Sequence, residues 1–336
     1  MMPVRDRSHA GQGNFLRQHI RLSLFFFFLL FLSGRLGLFL HEFMGHALFW
    51  RMLGGGLRGF KLFVFGGGWV CFAPLPAGTN PSFFSRLLVE LGGIAVELLV
   101  GILLILMLRF VTANRSVRGL MAATSAVLIV HSLFYLFIGT YYGAGDGHTL
   151  FYVLPEGVRQ VFLSLIFALT AGGAFFVSHG FSPLLRSWTG DLFPRKRTLL
   201  IFSCALVAAL MHGTLTFGER VLLRDSGYEG LKTPTNVRLM GRELSEIIAK
   251  YKAKYGREPD AAYIAAVKKK LEQKYWQFPM EFPLVIAIVA AFIAGYFLSA
   301  RRYFNNKASP VVWKEIIPLG CLSALTVILI LLMNRL

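Results

Sequence analysis

The feature that leaves this chain fewest options is a series of long apolar stretches. Seven of them, near residues 22–53, 87–108, 119–141, 158–180, 198–217, 282–300 and 315–333, match what a helix needs to cross hydrocarbon, roughly 20 residues. Composition removes the alternatives. Hydrophobic residues make up 55% of the 336 and charged residues 15%, with a mean hydropathy of +0.60. A soluble domain carries about 25% charge. Cys71, Cys204 and Cys321 are odd in number and far apart, so they form neither a disulfide framework nor a CxxC metal site. The expected fold class is an all-α polytopic membrane protein of about seven transmembrane helices, with a small β-hairpin after the first span.

The stretches divide the chain into a basic N-terminal segment (1–21), a membrane core (22–155), further transmembrane helices (156–217), a polar segment (218–281) and C-terminal transmembrane helices (282–336). The first span is overlong and contains Arg35, so a tilt, a kink near Gly34 and Gly37 or an extension beyond the bilayer is expected. LSLFFFFLLFLSG at its start has the look of a signal peptide. No small-residue cleavage pattern follows, and the run is kept in the mature chain. The polar segment reads as helices near 237–255 and 260–276, separated by Gly256 and Pro259: a solvated hairpin on the membrane surface, or an arm that recruits a substrate or partner.

The formal net charge of +18 reads as loop charge facing anionic lipid, and nucleic acid is not an expected partner. Lys and Arg in the short loops concentrate on the side that the N-terminus shares, which places that end in the cytoplasm. The expected setting is an integral, multi-pass protein of a cytoplasmic-type membrane.

The chemistry lies in FLHEFMGHALFW, with His41, Glu42 and His46. An intramembrane zinc motif, HExxH, sets two histidines at i and i+4 on one helical face. Here they stand at i and i+5, about 140° apart on a regular helix at roughly 100° per residue. Bringing both to one metal requires the extra residue to be absorbed as a π-bulge, a device found mostly at functional sites, and Gly45 eases it. From this composition about 0.007 such triplets are expected by chance at one spacing, and ionisable groups in an apolar span are costly enough to make function the default reading. The third ligand is expected from Asp146 in YYGAGDGHTLF, the acid between Arg118 and Glu156, about 20 residues along a span that runs in the direction of the first. Three protein ligands with one open position is the arrangement of a catalytic zinc.

GFKLFVFGGGWVCFAPLP alternates and is broken by three glycines, predicting a hairpin over 59–73 whose edge could hold an extended peptide. No GK[ST] follows the glycines, so nucleotide binding is not expected. Glu90 and Glu97 share a face of the second span; Glu97 is a candidate to orient a ligand histidine or position water, with a structural hydrogen bond equally open. His131, His148 and His212 read as satisfied interior histidines with an outside claim to support the metal.

These residues resemble the site-2 protease family of intramembrane zinc metalloproteases. The resemblance rests on the HE…GH pair, the glycine-rich hairpin, LGGIAVELL in the next span and the Asp-Gly at Asp146, over roughly residues 20–155. The family's proline and asparagine are absent from LGGIAVELL, the motif is one residue longer, and the charge count places the site near the outer rather than the cytosolic face. The resemblance implies that His41, His46 and Asp146 bind Zn2+, that Glu42 is the general base, and that the substrate is a membrane protein or peptide cut in or near a transmembrane segment. The alternative is a non-catalytic membrane scaffold or regulatory protein that keeps the protease fold.

Overall fold

A computed structural model describes residues 7–108, 110–111, 114–189, 192–223, 235–300 and 309–335. The chain is an all-α polytopic membrane protein: among the described residues seven helices are long and apolar enough to cross a membrane, and one two-stranded antiparallel sheet follows the first of them. Helix α1 (Arg7–Phe39) runs without a break through a π-helical stretch, Leu40–Ala47, into the short α2 (Leu48–Met52). Strands β1 (Leu57–Leu62) and β2 (Gly68–Phe72) form the hairpin. Then come α3 (Phe83–Met107), α4 (Arg115–Tyr142), a 3₁₀ turn at Gly145–Gly147, and the short α5 (His148–Val153). The remaining helices are α6 (Glu156–Ser187), α7 (Pro194–Leu222), α8 (Thr235–Tyr255), α9 (Ala261–Lys274), α10 (Glu281–Ala300) and α11 (Trp313–Met333).

Local chemistry sets the helix ends. Ser82 and Asn114 accept from the backbone N–H of Ser85 and Val117, satisfying donors that the first turns of α3 and α4 leave free. Gly143, left-handed at φ 62° and ψ 46°, ends α4 where a side chain would be strained. The helix of the first crossing stays continuous through Gly34 and Gly37. The irregularity sits beyond them, in the π stretch.

Helix α1 is the axis of the bundle. It packs against α4, α7 and α11, while the π stretch packs against α3. Leu22, Phe25 and Leu29 are buried with Trp188, Leu200, Cys204 and Ile316. Lipid is as apolar as these side chains, so close packing rather than escape from water holds the spans together.

Three helices hold the tip of the β-hairpin in place. The Glu219 carboxylate of α7 accepts from three successive backbone N–H groups, Val64, Phe65 and Gly66, at 2.6, 2.8 and 2.8 Å. Arg35 of α1 donates to the Phe63 carbonyl at 2.7 Å, and the Asn334 amide, just past α11, bonds both the N–H and the carbonyl of Leu62. These contacts satisfy backbone groups that an open sheet edge could not leave bare at membrane depth.

Helices α8 and α9 pack on each other as a separate arm, with Tyr251 against Tyr263 at 4.7 Å. Hydrogen bonds from Lys274 and Tyr275 hold the Glu243 carboxyl below its usual range. The arm leaves α7 beyond Glu219, which holds the hairpin, and rejoins α10 at Glu281, whose carboxylate accepts from Tyr142 at 2.7 Å. Both of its roots therefore lie on the face of the bundle where α4 ends.

Candidate metal centre

In a π-helix the hydrogen bonds close from i to i+5, so residues five apart come nearly into line. The stretch Leu40–Ala47 does this for His41 and His46: both are buried and their Nε2 atoms are 3.2 Å apart. The spacing that a regular helix would splay by about 140° is thereby converted into convergence.

Asp146 is carried to the same point by the turn after α4. Its Oδ2 stands 2.9 Å from His41 Nε2 and 3.2 Å from His46 Nε2. Gly145, with φ 54°, turns the chain back, and Gly147 lies against the Gly139–Thr140 backbone with no space for a side chain. Together the three atoms form a triangle with edges of 2.9, 3.2 and 3.2 Å, and these residues could hold a metal ion.

Second contacts fix which nitrogens face inward. His46 Nδ1 lies 2.7 Å from the Val89 carbonyl, which only accepts, so Nδ1 carries the proton and Nε2 presents its lone pair to the centre. His41 Nδ1 faces Glu97 Oε2 at 3.3 Å, and Glu97 also accepts from Ser132 at 2.8 Å. Of the alternatives open for Glu97, the structure places it beside a histidine of the cluster. Two lone pairs and a carboxylate oxygen this close repel one another unless a positive charge sits among them.

Small residues make the approach possible. A Cβ on Gly93 of α3 would stand 2.7 Å from the His41 ring, and one on Gly45 would run into the Gly92–Gly93 backbone. The glycines of LGGIAVELL thus let α3 lie directly against the π stretch.

Glu42 is buried and lines two cavities. The first, about 610 Å³, is bounded by Arg35, His131, His212, Thr216 and Arg220 as well as His41. The second, about 330 Å³, is bounded by β2, Arg86, Glu90, His46 and Asp146. Gly68 and Tyr135 line both, and both volumes lie within the range of ligand sites, about 300–1,000 Å³. Glu42 and the cluster therefore stand where two approaches meet.

The other sequence candidates separate. Glu90 accepts from the Thr149 N–H and hydroxyl, and holds the turn that follows Asp146 rather than joining the cluster. His131 stacks on Tyr135 and reaches Glu97 at 3.8 Å. Its side chain is 56% exposed within the first cavity, so the expectation of an interior histidine is corrected there. His212 lines the same cavity against Phe65, and His148 packs on Tyr152. Sequence reasoning missed Tyr135, whose ring meets His41 at 5.7 Å and whose hydroxyl is hydrogen-bonded to the Asp146 backbone. It also missed Glu219. The signal for Glu219 was an acid near the end of an apolar span; its partners are backbone groups, which have no sequence signature.

No protein-family model, no curated protein and no solved structure matches the chain.

Proposed function

We propose that this protein is a membrane-embedded zinc endopeptidase that hydrolyses a peptide bond in or near a transmembrane segment, as the resemblance to site-2 proteases implies. One observation carries the reading: His41 Nε2, His46 Nε2 and Asp146 Oδ2 meet at one point beside a buried glutamate. Two histidines and one carboxylate are a donor set of catalytic zinc sites, and their number leaves a position open. At zinc–ligand distances of about 2.0–2.2 Å the edges of a tetrahedron are about 3.3–3.6 Å, a few tenths of an ångström longer than the triangle the side chains form. A zinc ion held there would supply Lewis acidity, acidifying water and polarising a carbonyl.

The chain's own residues have distinct tasks. His46 is oriented by the Val89 carbonyl and His41 by Glu97, which keeps both Nε2 lone pairs on the centre. Glu42 is the general base: its carboxylate accepts the proton of the attacking water and passes it to the departing amine nitrogen. The two cavities that meet at Glu42 provide separate approaches for chain and water. Substrate and bilayer are the partners of this reading, and a cytoplasmic-type membrane its setting.

The test is Glu42→Gln in protein reconstituted with a labelled single-span reporter. Cleavage should fall by at least 100-fold, in line with removal of a general base, while bound zinc stays at the parent level. Cleavage at the parent rate would remove Glu42 from the mechanism.

A further inference from the structure

Where the two cavities meet, the wall is made by Glu42, Gly68 and Tyr135, which line both. His41 borders the first cavity, and His46 and Asp146 the second, so the cluster stands at the same junction. A carbonyl that reacts beside Glu42 lies there too. As water adds to it, its oxygen takes up negative charge, and in a site shielded from water such a charge needs a hydrogen-bond donor aimed at it. Of the three residues at the junction, Tyr135 is the one whose side chain can donate. Arg35 and Arg220 border the first cavity alone, and Arg86 the second alone.

The fold fixes where that hydroxyl stands. The Tyr135 ring meets the His41 ring edge-on at 5.7 Å, and it stacks on His131 at 5.9 Å with 5° between the planes. At the far end of the ring the phenolic oxygen accepts from the backbone N–H of Asp146, the residue whose carboxylate completes the cluster. Gly145 leaves room for this approach, since a Cβ there would run into the hydroxyl. A ring held by its neighbours and an oxygen held at its tip make a donor placed before the reaction begins, which is what gives such groups their effect. The bond from Asp146 uses a lone pair of the hydroxyl, and the hydroxyl's own proton is the one it gives.

We propose that Tyr135 is a further catalytic residue, whose O–H donates a hydrogen bond to the oxygen of the scissile carbonyl while that oxygen is charged. The proposal rests on the endopeptidase reading and adds to it a residue outside the motifs that carry the family resemblance. In the first step the water oxygen bonds to the carbonyl carbon, the carbonyl π pair moves onto its oxygen, and Glu42 takes the water's proton. In the second the carbon–nitrogen bond breaks, the carbonyl re-forms, and the amine leaves with the proton from Glu42. Tyr135 keeps its own proton throughout. Its bond is strongest at the charged stage between the two steps, so it speeds the reaction more than it helps substrate to bind.

The experiment is Tyr135→Phe, which removes the oxygen and keeps the ring. Full-length, zinc-replete parent and variant are compared in zinc per chain, in kcat and KM for the labelled single-span reporter, and in affinity for a phosphinic peptide. That peptide carries a phosphinate in place of the scissile amide and so imitates the charged oxygen. Zinc should stay at the parent level, kcat should fall about 100-fold, as on loss of an oxyanion donor, and KM should change by less than about threefold. The phosphinic peptide should bind at least about tenfold more weakly to the variant. Equal affinity in the two proteins would overturn the role. So would loss of zinc from a folded variant, because the hydroxyl would then serve only to hold Asp146. A parent that neither cuts the reporter nor binds the phosphinic peptide would sink the endopeptidase reading itself; a parent that does both, matched by Tyr135→Phe, would sink the role of the tyrosine alone.

Discussion

Gly93 shows how little tolerance the centre has. It sits under the His41 ring, where even a methyl group would stand 2.7 Å from the ring carbons and nitrogen. The imidazole has little room to retreat, because Glu97 stands 3.3 Å behind its other nitrogen and the π stretch fixes its backbone. Gly93→Ala is expected to destabilise the protein by about 1–3 kcal/mol, the usual range for overpacking. It should also displace His41 enough to lower metal occupancy several-fold. Thermal unfolding and metal content of the purified variant measure the two effects; full occupancy with an unchanged melting temperature would mean that α3 yields and the packing argument fails. Tyr135 shows the limit of reading single residues from sequence. A tyrosine in an aromatic span has the signature of a membrane anchor, and only the fold brings its hydroxyl to the Asp146 backbone.

The decisive element is the π stretch at Leu40–Ala47. A π-bulge amounts to one residue inserted into an α-helix, so removing one should restore the regular helix and leave the orientation of α2 unchanged. Met44 points outward, 46% exposed, and its removal deletes no buried contact. Deletion of Met44 is therefore expected to give a folded protein that keeps its metal, with the two histidines now four apart. Metal loss in a folded deletion variant would show that the π geometry itself, not merely the convergence of the histidines, is required. This element was legible in the sequence because polar residues stand out against an apolar run and their spacing leaves one geometry by which they can meet. The clamp on the hairpin tip was not. It joins Glu219 to backbone N–H groups more than 150 residues earlier, and backbone groups look the same in every sequence.

Across the whole molecule, crossings that run in one direction place the chemistry. The first and third end at the same face, so His41, His46 and Asp146 arrive at one depth. The fifth, α7, follows the same course and brings His212, Thr216 and Arg220 to the cavity beside Glu42. Alternation of spans was readable from hydropathy alone, and it explains why two segments a hundred residues apart form one site. Which helices touch was not readable: buried polar residues such as Ser125, Ser132 and Ser178 mark the inward side of a span, but nothing in them says which neighbour it meets. The central claim is that three side chains from two distant segments hold one metal ion, and zinc per chain in detergent-purified, zinc-replete protein tests it most directly, with Asp146→Ala measured alongside. About one zinc in the parent and a marked loss in the variant is the predicted result. No zinc in a well-folded parent, or equal zinc in parent and variant, would contradict it.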